Sequence, residues 1–410
     1  MAVVSFDMYI STIARFASAS GAACRTLAAL TLSAALAGCA AVSAATHTSR
    51  PHAPGMANPR PARIYIIGQD LESIRGYFAS GCCARPDGVT NYLDLYELRS
   101  RQSHFGGLGM DTAGVPAGVD RDAGGGVMNA YKAGTEFGVP GLALGLSITE
   151  NDHPGALARL IAGEYDAEIH ELGVLIGLHR GTTYLRIGYE FDGAWNKGYE
   201  QPQRYVQAYR RIVDLLRRDR VANVEFVWQA SASSVNVVID HRHKDIRDWF
   251  PGDGYVDWMG LSWFMHPDAT IGVPSDFQPP TPRQLANELV DFARERQKPV
   301  MIAESAPQAY DLKAGLRAHH VSIWDGPARS GAQSVNSEQI WDAWFRPLFV
   351  YLDQNLDVIR ALAYINCNWD AQAMWGSPYA NGFWGDSRLE TNPEVARRFS
   401  AAIQRWREQP

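Results

Sequence analysis

Cysteine is scarce in this chain: 410 residues contain five, and two of them, Cys24 and Cys39, fall within the first forty positions. No Cys-x-x-Cys and no His-x-x-x-His spacing occurs. Nothing therefore points to a zinc site, and neither a metal nor another cofactor is expected. Charge of one sign is missing too. Thirty-eight Lys and Arg face 44 Asp and Glu, a net of −6 with no long run of either sign. A nucleic-acid binder usually displays a basic face or arm, so nucleic acid is not an expected partner. No apolar run reaches the roughly 20 residues that a spanning helix needs. No glycine-rich fingerprint follows the first apolar segment, which removes support for a dinucleotide-binding Rossmann domain. What is plentiful is apolar and aromatic: 46% apolar residues, with 12 Trp and 17 Tyr. That is far from the composition of a disordered chain.

The first 38 residues read as a targeting segment. Arg15 and Arg25 supply positive charge, and an apolar run from Leu27 to Ala37 follows, broken only by Thr31 and Ser33. Such a run suits the h-region of a signal peptide. It ends in Leu36-Ala37-Gly38-Cys39, which resembles the lipobox of bacterial lipoproteins. The resemblance implies export, lipid on Cys39 and attachment to a membrane. Ala40 follows the cysteine where an Asp would signal retention, so the outer membrane is the expected destination. The long n-region leaves Met1 and Met8 both open as the start. Residues 39–62 are rich in Ala, Ser, Thr, Pro and His and read as a flexible tether. Cys82, Cys83 and Cys367 remain in the mature chain. Export favours a disulfide, but spacing alone leaves the pairing open.

From residue 63 to 410 a single domain is expected. Short apolar strands at 63–68, 142–147, 183–188, 224–228, 256–261, 299–303 and 361–365 alternate with helical stretches at 154–179, 203–218, 282–296, 337–357 and 393–406. Residues 103–109 are a weaker candidate for a second strand. Over 203–218, Tyr205, Tyr209, Ile212 and Leu216 fall on one helical stripe and most of the arginines off it. Strands that are apolar throughout, separated by helices, are buried on both faces and parallel. Eight such units predict a (β/α)₈ barrel, whose chemistry sits where strands end and the following loops begin.

Two of those strand ends carry a glutamate. Leu185-Arg-Ile-Gly-Tyr-Glu190 closes the fourth strand and Met301-Ile-Ala-Glu304 the seventh. A carboxylate straight after an apolar strand is expensive unless paired or functional. Strands four and seven face each other across an eight-stranded barrel. Glycoside hydrolysis needs two carboxyl groups flanking the scissile bond, about 5–5.5 Å apart when configuration is retained. One would donate a proton to the leaving oxygen while the other attacks the sugar carbon. The Glu304 charge and cover from Trp195 would raise the pKa of Glu190, and Arg186 could hold Glu304 ionised. Trp195, Trp228, Trp263 and Trp369 lie at or beyond strand ends and read as platforms for sugar rings, Trp195 and Trp369 above the others. Arg186, Tyr189 and Asn366 complete the expected substrate contacts. Asn368, Asp370, Gln69 and Asp192 could bind sugar hydroxyls or cap helices, and capping suits Asp70 better. The Gly-rich 106–126 loop and the Trp375–Trp384 loop with Asn381 are expected to border the cleft. His241, His243 and His266 read as solvated.

The sequence resembles glycoside hydrolase family 26, within the clan of retaining (β/α)₈ glycosidases, over roughly residues 63–390. Arg186-Ile-Gly-Tyr-Glu190 is similar to that family's stretch around the acid/base, with Trp195 at its following Trp. Asn223-Val-Glu-Phe-Val-Trp228, Pro251-Gly-Asp-Gly-Tyr-Val-Asp-Trp-Met-Gly-Leu261 and Lys298-Pro-Val-Met-Ile-Ala-Glu304 resemble later segments. The resemblance implies Glu190 as acid/base and Glu304 as nucleophile. Tyr189 stands where the family's mannanases have His, and Ser262-Trp263-Phe264 where they have an Asp and a Tyr. The Gly-Tyr-Glu-Phe-Asp-Gly form is closer to the β-1,3-xylanase branch. A monomer acting on β-1,3-xylan, β-mannan or a related β-glycan is the expectation. A barrel that binds polysaccharide without cutting it, or one that trims the cell's own exopolysaccharide, would use the same cleft. A reducing-sugar assay separates the first, and genome neighbourhood the second.

Overall fold

The structure, a computed structural model, describes residues 62–99, 120–122, 124–234, 237, 243–265, 278–317, 332–375 and 384–409. The targeting segment, Cys39, nearly all of the tether, residues 103–109, His241, His266 and Asn381 lie outside them. Among the described residues no helix is long and apolar enough to cross a membrane.

Eight parallel strands close into a barrel: β1 (Ile64–Gly68), β2 (Gly88–Asp94), β3 (Gly141–Ser147), β4 (Thr182–Ile187), β5 (Val224–Ala230), β6 (Trp258–Trp263), β7 (Val300–Ser305) and β8 (Ile359–Ile365). Each pairs with its chain neighbours, and β8 returns to β1. This is the (β/α)₈ barrel expected. The second strand of the barrel differs from the expectation of 103–109: it is Gly88-Val-Thr-Asn-Tyr-Leu-Asp94. Its Thr, Asn and Asp interrupt the apolar run that marks the other strands, although all seven positions are buried.

The helices form the outer shell. Pro202–Arg218 carries Tyr205, Tyr209, Ile212 and Leu216 on its buried stripe, each 0% exposed. Fully burying one aliphatic side chain of that size contributes about 1.5–3 kcal/mol. The Tyr205 hydroxyl also donates to the Ile187 carbonyl at the end of β4, fixing the strand end that carries the chemistry. The stretch 154–179 is two helices, Ala156–Ala162 and Asp166–Leu178, parted at Gly163, whose φ of +97° suits glycine. The helix over 337–354 opens with an Asn336/Gln339 capping box and passes through a π turn at Trp341–Phe345. Pro347 follows that turn, and its missing N–H breaks the regular ladder there.

The inner and outer faces of the strands bury different groups. Ile66, Ala143, Tyr184, Val227, Trp258, Met301, Ala361 and Ala363 pack together inside the barrel. The alternate residues face the helices in one large apolar shell. The three described cysteines in the barrel are free. Cys82 and Cys83 lie side by side near the surface, while Cys367 is buried with Trp369 and Trp384.

Candidate active site

Near the C-terminal ends of the strands the inner face turns polar. Tyr92, Gly145 and Arg186 are register partners across β2, β3 and β4. Gly145 is what lets the other two meet. A Cβ there would lie 2.5 Å from the Tyr92 ring and 2.9 Å from the Arg186 guanidinium. Gln229 on β5 and Ser262 on β6 continue the layer. Glu304 joins it through a bulge. Leu261 pairs with Ile302, but Ser262 pairs with Glu304, so Ala303 is the extra residue. Bulges re-aim side chains in this way beside active sites.

Arg186 is the hub. Its side chain is fully buried, and Nη1 lies 2.5 Å from Glu304 Oε1 and 3.1 Å from Gln229 Oε1. Nη2 donates to Thr90 Oγ1 at 3.2 Å. The guanidinium also stacks over the rings of Tyr92 at 4.8 Å and Tyr189 at 5.4 Å. Such a pair costs desolvation of both ions, and losing one partner strands the other. Burial and the Glu304 charge push the Tyr92 phenol far above its ordinary pKa, so Tyr92 is a neutral hydroxyl sharing hydrogen bonds with Arg186 and Glu304.

Glu190 is held differently. It follows β4 with φ of +53°, a conformation that costs a non-glycine residue on the order of 1–3 kcal/mol. The turn is pinned: Asn196 Nδ2 and the Gly193 amide both donate to the Glu190 carbonyl at 2.8 Å. Two donors reach its carboxyl group. The Ser262 hydroxyl lies 2.7 Å from Oε1, and Trp195 Nε1 lies 3.1 Å from Oε2. Burial first, and the Glu304 charge second, push the Glu190 pKa up to about 8, against the pull of these donors. One carboxyl group thus carries a proton at neutral pH while the other is ion-paired with an arginine.

Of the residues expected at the site, Glu190, Glu304, Arg186, Tyr189 and Trp195 come together. Tyr189 packs edge-on against Tyr92 at 5.4 Å. Arg186 holds Glu304 as expected, but a fully buried guanidinium spent on that carboxylate is not the sugar contact also expected of it. Trp228 is corrected outright. It faces outward from β5, 0% exposed, stacked on Phe191 at 4.4 Å. Trp263 faces outward from β6 onto Tyr351 at 4.4 Å. Trp369 is 2% exposed inside a cluster with Cys367 and Trp384, so it offers no open face. Asn366 points away from the cleft, donating to Glu390 and accepting from the Leu389 amide. Trp195 is the one of the four predicted tryptophans that keeps a part-exposed ring.

Asp70 caps the helix Leu71–Ser80 by accepting from the Ser73 amide. Asp192 accepts from the Ser231 amide at 2.6 Å and serves the loop. His243 pairs with Glu288 at the surface. Tyr92, Gln229 and Ser262 were not read as site residues. Gln229 and Ser262 carried an available signal: each is a polar group at the inward parity of Arg186, near the end of a largely apolar strand.

A closed parallel barrel with two glutamates at its C-terminal mouth, one protonated and one ion-paired, has the working parts of the glycoside-hydrolase class. Sequence comparison agrees with that class. Residues 183–274 match the model of glycosyl hydrolase family 26. The chain is 30% identical over 348 residues to a β-1,3-xylanase of an Alcaligenes species, covering 84% of this chain and 64% of that protein. A β-1,3-xylanase of a Vibrio species is equally similar, at 30% over 84% of this chain and 65% of its own length. The match therefore spans a little under two thirds of these relatives. Among solved structures, a β-mannanase from Bacteroides ovatus is 12% identical with a TM-score of 0.43, over 83% of this chain and 89% of that one. The chain thus resembles proteins of glycosyl hydrolase family 26, β-1,3-xylanases among them.

Proposed function

We propose that the barrel is a retaining endo-glycoside hydrolase that cuts a β-linked polysaccharide, β-1,3-xylan ahead of β-mannan. In the first step Glu304 attacks the anomeric carbon while Glu190 gives its proton to the departing glycosidic oxygen. One C–O bond forms as the other breaks, leaving a glycosyl ester on Glu304. Esterification removes the Glu304 charge, and with it part of what kept Glu190 protonated. Glu190 then takes a proton from water, whose oxygen displaces Glu304 and restores both carboxyl groups.

The observation that carries this reading is the unlike treatment of two neighbouring carboxyl groups, one pushed up to about 8 and one against a buried arginine. Such separation is how acid and nucleophile are told apart. The names of the similar proteins put β-1,3-xylan first. The test is release of reducing sugar from β-1,3-xylan, β-1,4-xylan, β-mannan and mixed-linkage glucan, with Glu304→Ala as control. Cleavage of β-1,3-xylan by the parent alone supports the reading. Equal release by Glu304→Ala would refute it.

Export as a monomer, held by lipid on Cys39 in the outer membrane, belongs to the same proposal and rests on Leu36-Ala-Gly-Cys39. Radiolabelled palmitate should enter the parent and not Cys39→Ser. Labelling that persists in the variant would end the lipoprotein reading.

A further inference from the structure

A continuous path of hydrogen bonds joins the two glutamates through groups that bond cleavage itself does not require. It runs from Glu304 Oε1 to Arg186 Nη1 at 2.5 Å, then to Gln229 Oε1 at 3.1 Å. It continues from Gln229 Nε2 to Ser262 Oγ at 3.1 Å and ends at Glu190 Oε1, 2.7 Å further on. The directions from Arg186 to Ser262 are determined. A guanidinium only donates, so Gln229 must turn its carbonyl oxygen to Arg186 and its amide nitrogen to Ser262. Ser262 accepts from that amide, and its single proton is free to go to Glu190 when Glu190 is ionised. The arginine that pairs with the nucleophile thereby orients a donor for the acid/base, two strands along the same barrel wall.

We propose that Gln229 and Ser262 are positioning residues that lock a hydroxyl donor onto Glu190 and so set how readily it yields its proton between the two halves of the cycle. This rests on Glu190 being the acid/base. The charged groups facing Glu190 are Glu304 from β7, Asp192 from its own loop and Arg186 behind Gln229; Tyr189 and Trp195 are neutral neighbours. Both acidic neighbours hold the proton on, and the Ser262 and Trp195 donors ease it off. Trp195 acts directly, whereas the serine works only while Gln229 keeps it turned. The arrangement favours the carboxylate that must accept a proton from water in the second step, without supplying a permanent positive charge that would abolish the acid of the first.

Ser262→Ala, Ser262→Thr and Gln229→Met in the full chain test this with two readouts. The first is the titration midpoint of Glu190, taken from the pH dependence of unfolding of each variant against the same variant carrying Glu190→Gln. The second is the alkaline limb of kcat/KM on a soluble glycan. Ser262→Ala and Gln229→Met should raise both by about one pH unit, the worth of one hydrogen bond to a charged group. Ser262→Thr keeps the hydroxyl and should restore the parent values. An unmoved midpoint in Ser262→Ala, or an equal rise in Ser262→Thr, overturns the proposal. If no glycan is cut even by the parent, the enzymatic reading fails, while the unfolding titration still decides the role of Ser262.

Discussion

The barrel holds a glutamate against a tryptophan indole at each of its two ends. At the mouth Trp195 donates to Glu190, and at the base Trp258 donates to Glu225. Burial raises the pKa of both carboxyl groups. The surroundings then part ways. Glu225 borders a cavity of about 420 Å³ with Tyr184, Asp257 and Trp258, and the added influence there is Asp257. Glu190 faces a second glutamate that is itself clasped by a buried arginine, and one of its donors, Ser262, is tied to that arginine through Gln229. A desolvated glutamate is therefore not enough to make a site. What separates the mouth from the base is a second carboxyl group with its own cation.

The comparison can be broken most severely at Glu304. Glu304→Ala should lower kcat on the order of 10⁴-fold or more, since it removes the covalent route and leaves only binding and the acid. Glu190→Gln should cost about 10² to 10⁴ in kcat on unactivated glycans, the usual worth of one general acid–base group. Glu225→Gln at the base should leave kcat/KM within about twofold, as a surface-remote change does. Steady-state kinetics on the best glycan of the panel check all three, and an equal loss in Glu225→Gln would erase the distinction drawn here.

Arg186→Met sharpens the same contrast in stability. It strands Glu304 without its cation and should cost about 3–5 kcal/mol in unfolding free energy, read by urea denaturation. Glu190 works in the opposite direction. Folded, it keeps its proton up to about pH 8, whereas an unfolded Glu loses its own near pH 4.3. The folded state therefore binds the extra proton. The stability tied to Glu190 is fully present below the unfolded value and falls by about 1.4 kcal/mol per pH unit as pH rises toward 8. Glu190→Gln should flatten that slope and be more stable than the parent at pH 8, and kcat/KM of the parent should decline through the same pH.

The smallest effect on stability should come from Trp195→Phe, which keeps the ring, drops the indole N–H and should reduce kcat. Trp228→Ala is its counterpart from the outer face. It should cost about 3–5 kcal/mol of stability with kcat per folded molecule unchanged.

That pair also marks what the sequence could and could not convey. The barrel was legible because seven of its strands are apolar runs spaced by amphipathic helices, and Glu190 and Glu304 stood out because carboxylates end two of those runs. Being near a strand end, however, does not tell which way a side chain points. Trp228, Trp263 and Asn366 sit one residue out of phase with the inward set and fall on the helix side. Counting by two from Arg186 along β4, and matching Gln229 and Ser262 on the neighbouring strands, would have separated them. Glu304 would have resisted that count, because the extra residue Ala303 shifts its phase and a bulge leaves no mark in hydropathy. Tyr92 was missed because its strand is too polar to read as one, and it is polar because it faces the site.

The central claim is tested most directly by trapping the glycosyl ester. The protein is incubated with a 2-deoxy-2-fluoro-β-xylobiosyl fluoride, digested, and the labelled peptide sequenced by mass spectrometry. The account predicts one fluoroxylobiosyl group per chain, on Glu304. A label on Glu190 or on any other residue would contradict it.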